Sequence, residues 1–294
     1  MTARPKNIPV GYALGIAGVT IFGATLPATV LALEVYAPWF ITLGRAAIAT
    51  AVAIPCLLLL RRRLPLRSLP QFLFAGMLLV FGFPGFMALG MQTVDASHGG
   101  VVLGILPLGT AVFAALVAGE RPSPLFWLCA VAGTALVIWF VLGGSEVQLT
   151  AGVGWLTLAG LCASLGYVIS GRLSATMPGW EVICWALVLT APISLAGTWW
   201  LWEPAYWHAP AVPLIAFIYT GLGSMFLGFF AWNAGLAIGG IARVGQVQLF
   251  QVFVTVGLSA LLLGETITAR TAAFAIAVVV VVWLGRKTRI AERR

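Results

Sequence analysis

Charge is what this sequence has least of. Only 8% of its 294 residues are charged, and just eight of them are acidic. Soluble domains carry roughly a quarter charged residues, so a water-exposed globular protein is excluded. Histidine occurs twice, at His98 and His208, and cysteine four times, at the well-separated Cys56, Cys129, Cys162 and Cys184. Neither a metal-ligand cluster nor a Ser-His-Asp constellation can be assembled from reachable segments, so no metal, cofactor or catalytic residue is expected. The cysteines read as buried structural thiols rather than a disulfide framework.

What fills the chain instead is apolar: 61% of the residues are hydrophobic, with mean hydropathy +1.06. A helix needs about 20 apolar residues to cross the hydrocarbon core. Ten runs satisfy this, at 10–33, 38–60, 70–92, 99–118, 123–143, 153–171, 180–202, 211–236, 244–263 and 268–285. Unbroken stretches such as Ala275 to Trp283 lack the alternation of a transmembrane barrel, so an all-α membrane protein is predicted. The first run follows Arg4 and Lys6 but is too long for a signal peptide, and another run follows at once.

The sparse charge is distributed unevenly. With the N-terminus in the cytoplasm, fourteen of the sixteen basic residues fall on the inner side, including Arg61, Arg62, Arg63, Arg67, Arg121, Arg172, Arg243 and the C-terminal group from Arg286. Arg270 lies near the outer face and Arg45 inside the second run. Glu34, Asp95, Glu146, Glu203 and Glu265 lie in outer connections. This positive-inside pattern favours an even number of spans with both termini cytoplasmic, in a cell inner membrane. The net charge of +8 therefore sets orientation and does not mark a nucleic-acid site.

Gly119-Glu120 and Gly264-Glu265, 145 residues apart, each end one apolar run and precede another. The same offset superposes Gly100 on Gly245. With a slip of a few residues, Phe22-Gly23 meets Leu165-Gly166 and Trp39 falls near Trp180. Each half, 1–147 and 148–294, thus carries five spans, and an odd number forces the two copies into opposite orientations. Inverted repeats are a recurring architecture of secondary transporters, with the substrate site near midplane between the repeats.

On Phe22-Gly23, Arg45, Pro107 and the two Gly-Glu pairs, the chain resembles the drug/metabolite transporter superfamily, specifically its EamA-type ten-helix branch. The resemblance covers nearly the whole chain. Members usually carry a second proline in span nine, where Val252 stands here, so the two halves are expected to bend differently. The resemblance implies a central cavity formed by spans one, three, four, six, eight and nine, with spans two, five and ten outside it. Ser164 and Tyr167 stand where relatives have an aromatic-rich motif facing the centre. Characterised relatives export amino acids, including aromatic ones, and other metabolites.

Within this frame the residues divide by chemistry. Phe83 and Met87 in span three, and Phe229, Trp232 and Asn233 in span eight, offer an apolar wall with an amide at one edge. Taken singly, each of these residues suits lipid or helix packing better than ligand contact, and only as a group do they point to a cavity wall. Gln248 and Gln251, three apart, share a helix face, where they either bind one end of a zwitterion or bond neighbouring helices. Pro84, Gly85 and Pro107 break helices at depth and mark candidate hinges. Arg45 is expected to pair with a carboxylate or helix-end carbonyls, or to snorkel outward. Glu120 and Glu265 are expected to cap spans five and ten, and His98 to be a solvated loop residue.

The middle of every span lacks Asp, Glu and Lys. Proton-coupled export of cationic drugs needs a membrane carboxylate, and span one offers only Thr20, Thr25 and Thr29; carriers of phosphates or sugar nucleotides need a cationic cavity. The expected solute is therefore a small neutral or zwitterionic metabolite with an apolar body, carried by a monomer in the lipid bilayer. A multidrug or other metabolite exporter is the nearest alternative, and a membrane enzyme or a channel the alternative of another class.

Overall fold

The computed structural model describes residues 7–142, 150–286 and 290–292. Arg4, Lys6, Glu146, Lys287, Arg289, Arg293, Arg294 and the boundary between the predicted halves lie outside them. So do the side chains of Glu120, Arg121, Arg243, Gln246 and Arg286.

Among the described residues, seven helices are long and apolar enough to cross a membrane: α1 (Pro9–Leu33), α2 (Pro38–Leu59), α3 (Leu66–Gly90), α4 (Ala96–Ala118), α6 (Ala151–Ser174), α7 (Gly179–Trp200) and α8 (Ala211–Gly239). Three further apolar helices are α5 (Pro124–Leu142), α9 (Leu249–Leu263) and α10 (Ala269–Arg286). The α9 helix is short because its run begins with a separate turn of helix, Ile241–Gly245, and a 3₁₀ turn, Gln246–Gln248.

The non-α turns occur in matched places. A π-helical stretch interrupts α3 at Met77–Gly82 and α8 at Thr220–Gly228. A 3₁₀ turn interrupts α4 at Leu103–Ile105, matching the turn before α9. Pro84 and Pro107 directly follow these turns in α3 and α4, where a missing N–H is absorbed by the altered hydrogen-bond register. Gly85 is needed for a different reason: a Cβ there would meet the Trp39 ring at 2.8 Å. The expectation that the two halves bend differently is corrected here, since the turn before α9 forms without a proline. Helices α4 and α9 also end alike, on Gly119 (φ 72°) and Gly264 (φ 66°), the left-handed conformation that only glycine adopts without strain.

Helix partners are set by small residues. At the α1–α8 contact, a Cβ on Gly11 would come within 2.6 Å of the Gly239 Cα, and one on Gly235 within 2.9 Å of the Gly15 nitrogen. Backbones this close gain dispersion contacts that lipid cannot match. A similar approach joins α3 to α6, where a Cβ on Gly90 would lie 3.0 Å from the Gly152 carbonyl oxygen. Pairs α2–α7, α4–α6, α1–α9, α5–α10 and α4–α9 are also in extensive contact.

The two ends of the bundle are distinct. At one end the Arg62 Nε lies 3.5 Å from a Glu181 oxygen, and the Trp185 indole N–H donates to the same carboxylate at 3.3 Å. Short strands β1 (Glu120–Pro122) and β2 (Ile290–Glu292) pair antiparallel there. At the other end Glu265 accepts from the Ala96 and Ser97 backbone N–H groups, both at 2.9 Å. Glu265 thus caps α4, not α10 as its sequence position suggested, satisfying two orphan donors and complementing that helix's dipole. His98 lies in the first turn of the same helix, 3.6 Å from Asp95, and not in a loop.

Candidate functional site

Near its middle α1 is broken. Helix Ile8–Gly23 stops and helix Thr25–Leu33 starts, with Ala24 between them. A break inside lipid frees backbone carbonyls that must find partners. The Tyr219 hydroxyl donates to the Ile21 oxygen at 2.6 Å, and the Thr255 hydroxyl to the Gly23 oxygen at 2.8 Å. Helices α8 and α9 are therefore tied to this point of α1, and the site is built around it.

On one side of the break lies a quartet of rings. Phe22 stands 5.1 Å from Phe229, 6.2 Å from Trp232 and 6.4 Å from Tyr167. Tyr167 completes the group at 5.5 Å from Trp232 and 6.0 Å from Phe229. All four are buried, and among the described residues the Trp232 indole N–H has no acceptor. Gly228 sits beneath Phe22, since a Cβ there would be 2.6 Å from the ring. Sequence reasoning named Tyr167, Phe229 and Trp232. It used Phe22 only as a motif, although Phe22 touches the other three.

On the other side lies a polar junction. Arg45 is 1% exposed and points from α2 into α8. Its Nε donates to the Thr220 carbonyl at 3.0 Å, where the π-helical stretch begins, and its Nη2 to the Ser224 hydroxyl at 2.9 Å. Ser224 also bonds Thr25 at 2.8 Å, at the start of the second segment of α1. The arginine therefore neither snorkels nor meets a carboxylate among the described residues, and its partner carbonyl is internal to α8.

Gln248 and Gln251 come together as their spacing predicted. With Leu26, Leu103, Leu106 and Thr255 they line a void of about 10 Å³ between α1, α4 and α9, enough for one water. Among the described residues, neither amide atom of Gln248 has a hydrogen-bond partner, nor does the Gln251 carbonyl oxygen. A buried amide without a partner is costly, and this void has room for the water that would supply one.

The remaining predicted residues sit elsewhere. Asn233 is fully engaged, accepting from Ser170 at 2.8 Å and donating to the Gly179 carbonyl at 3.2 Å, so it ties α8 to α6 and α7. Ser164 donates to the Leu106 carbonyl at 3.2 Å and lines an apolar groove of about 500 Å³ between α4, α5 and α6. Phe83 and Met87 are buried in the main core, and Phe83 is not among the described ring contacts of the quartet. A wider cleft of about 690 Å³ opens between the ends of α3, α4 and α6, beside Gln71 and Arg172.

A family model described as the EamA-like transporter family matches this chain twice, over residues 9–142 and 150–285. The chain is 41% identical over 281 residues to the uncharacterized transporter YdeK of Bacillus subtilis, covering 94% of this chain and 97% of that one. It is 26% identical over 174 residues to the aromatic amino acid exporter YddG of Ancylobacter novellus, covering 58% of this chain and 59% of that protein. A solved crystal structure shares the fold with a TM-score of 0.70 at 20% identity, over 93% of this chain and 95% of that one. With apolar helices, paired matches and a buried polar centre, the chain belongs to the EamA-like transporter family and is a multi-pass membrane transporter.

Proposed function

We propose that this protein exports small neutral or zwitterionic metabolites, foremost amino acids with aromatic or hydrophobic side chains, by alternating access. It does so as a monomer of ten spans in two inverted five-helix repeats, 1–147 and 148–294. It sits in the inner membrane with both termini cytoplasmic.

The observation that carries the reading is the break near the middle of α1, with the aromatic quartet starting at Phe22 before it and the Gln248 and Gln251 amides on the void lined by Leu26 after it. The repeat is supported by the helix contacts. Exchanging the halves converts α1–α8 into α6–α3, α4–α6 into α9–α1, and α2–α8 into α7–α3, all of which occur. The paired π and 3₁₀ turns follow the same exchange. These turns are the positions where a helix can flex without losing backbone hydrogen bonds. The partial match to a protein named as an aromatic amino acid exporter agrees with the aromatic quartet.

The test is counterflow. Proteoliposomes loaded with unlabelled phenylalanine should take up labelled phenylalanine without any ion gradient, saturably, and empty ones should not. Folded protein that shows no counterflow with any amino acid would refute the substrate assignment.

A further inference from the structure

Two hollows on the bundle line up along α6. The cleft of about 690 Å³ lies at the end where Arg62 meets Glu181. Its polar lining, from Ser68, Gln71, Arg172 and Thr176, lies at the helix ends, and its apolar lining, from Phe74, Leu165 and Ile169, lies one to two turns further in. The groove of about 500 Å³ between α4, α5 and α6 comes next. There Leu161 stands one turn beyond Leu165 on α6, and Phe113 one turn beyond Val117 on α4. From Leu161 to Arg172 the path along α6 is about 16 Å at 1.5 Å per residue, close to half of the ~30 Å hydrocarbon core. The two hollows together are as long as one leaflet is deep, with polar groups at the interface and apolar ones beyond.

This surface faces away from the centre of the bundle. Leu161, Leu165, Ile169, Arg172 and Thr176 form one stripe of α6, about 120–200° round the helix from Tyr167 at 3.6 residues per turn. Tyr167 packs into the ring quartet, so the stripe looks outward. Phe74, Val117 and Leu161 are 51%, 40% and 45% exposed, and apolar side chains exposed on a spanning helix meet lipid.

Arg172 supplies the charge. Its Nη1 donates to the Val117 carbonyl at 2.7 Å, in the last turn of α4, which fixes the guanidinium beside the cleft. None of the described carboxylates pairs with it, and the cleft lining contains none. A guanidinium has five N–H donors, so the remaining ones can meet phosphate oxygens as a fork. Gln71 and Ser68 add neutral donors, and Arg67 precedes Ser68 at the same end. A basic pocket between spanning helices, open to lipid, is complementary to an anionic headgroup.

We propose that this surface binds an anionic glycerophospholipid, its phosphodiester on Arg172 and one acyl chain lying along α4 and α6 as far as Leu161. The bound lipid braces the ends of α3, α4 and α6. The proposal is independent of the solute that the protein carries.

The experiment follows Tm of the purified full chain in detergent, since a ligand that binds the folded state raises it with concentration. The probes are phosphatidylglycerol, phosphatidylcholine with the same chains, and glycerol 3-phosphate. The proteins are wild type, Arg172→Gln, Arg172→Lys and Leu161→Trp, each first shown to elute as a single species. In wild type, phosphatidylglycerol should act at a concentration at least about fivefold below phosphatidylcholine, the effect of one arginine near an anionic surface, and glycerol 3-phosphate should do nothing. Arg172→Gln should abolish the preference, Arg172→Lys should keep part of it, and Leu161→Trp should weaken both lipids by filling the groove. Equal action of the two lipids on wild type would overturn the proposal, as would a folded Arg172→Gln that keeps the preference. A shift with glycerol 3-phosphate matching that of phosphatidylglycerol would also overturn it, assigning the cleft to a soluble anion. If Arg172→Gln does not fold, Leu161→Trp decides: wild-type affinity for phosphatidylglycerol there refutes the seated chain.

Discussion

The α1–α8 contact makes a sharp prediction about glycine. In a helix interior, Gly→Ala ordinarily stabilises by about 0.5–1 kcal/mol, because alanine has less backbone entropy to lose. A methyl group added at Gly154 in α6 would have nothing within 4 Å, so Gly154→Ala should show that gain. Gly235 differs. Its Cβ would lie 2.9 Å from the Gly15 nitrogen and 3.0 Å from the Gly11 oxygen, both backbone atoms that cannot rotate away. The helices must part, and overpacking of this kind costs about 1–3 kcal/mol. The two substitutions, chemically identical, should therefore differ by about 1.5–4 kcal/mol, combining the gain at one site with the cost at the other. For a chain of this size each kcal/mol moves Tm by roughly 2–4 °C. Thermal unfolding in detergent should place Gly235→Ala well below wild type and Gly154→Ala at or slightly above it. Gly11→Ala, 2.6 Å from the Gly239 Cα on the other side of the same contact, should behave like Gly235→Ala. Equal Tm values for Gly154→Ala and Gly235→Ala would refute the close approach.

Three further outcomes follow from named contacts. Glu265→Ala should lower stability by about 1 kcal/mol through loss of the α4 cap, seen as a lower Tm, and Glu265→Gln should recover part of it. Asn233→Ala should lower Tm by leaving Ser170 and the Gly179 carbonyl short of a partner, at about 1–3 kcal/mol. In the link between α1 and α2, burial pushes the Tyr36 phenol up from its ordinary value of 10.0, with the nearby Tyr206 adding to the shift. The neutral phenol is favoured in the fold, so its contribution is complete below pH 10 and is lost as pH rises through the raised value. Tyr36→Phe should flatten the alkaline fall in Tm.

Much of this was legible in the sequence because lipid imposes simple rules. Apolar runs located the seven long helices to within a few residues, as at α2, predicted over 38–60 and found as Pro38–Leu59. The face shared by Gln248 and Gln251 followed from helical spacing, and Pro84 and Pro107 lie where the helices depart from α geometry. Partner choice was not legible. Gly11 and Gly15, or Gly235 and Gly239, announce a close-packing face but not which helix fills it. Glu265 illustrates the same limit, since a capping carboxylate reaches whichever helix end lies nearest in space, here α4. The π-helical stretches at Met77–Gly82 and Thr220–Gly228 carry no local code, because they arise from packing. Arg45 was visible as a buried cation, but only the structure places it against α8, where it bonds the Thr220 carbonyl and the Ser224 hydroxyl. The hydroxyls of Thr25, Ser224 and Thr255 were the overlooked signal: small polar side chains that satisfy a broken helix.

The central claim is that one site at the α1 break is presented alternately to the two sides of the membrane. It is tested most directly by placing a single cysteine at Gln251 in a background where Cys56, Cys129, Cys162 and Cys184 are replaced by alanine. A membrane-impermeant thiol reagent is then applied from either face of oriented vesicles. The account predicts labelling from both faces, slowed in each case by phenylalanine. Labelling from one face only, or labelling from both that phenylalanine does not slow, would contradict it.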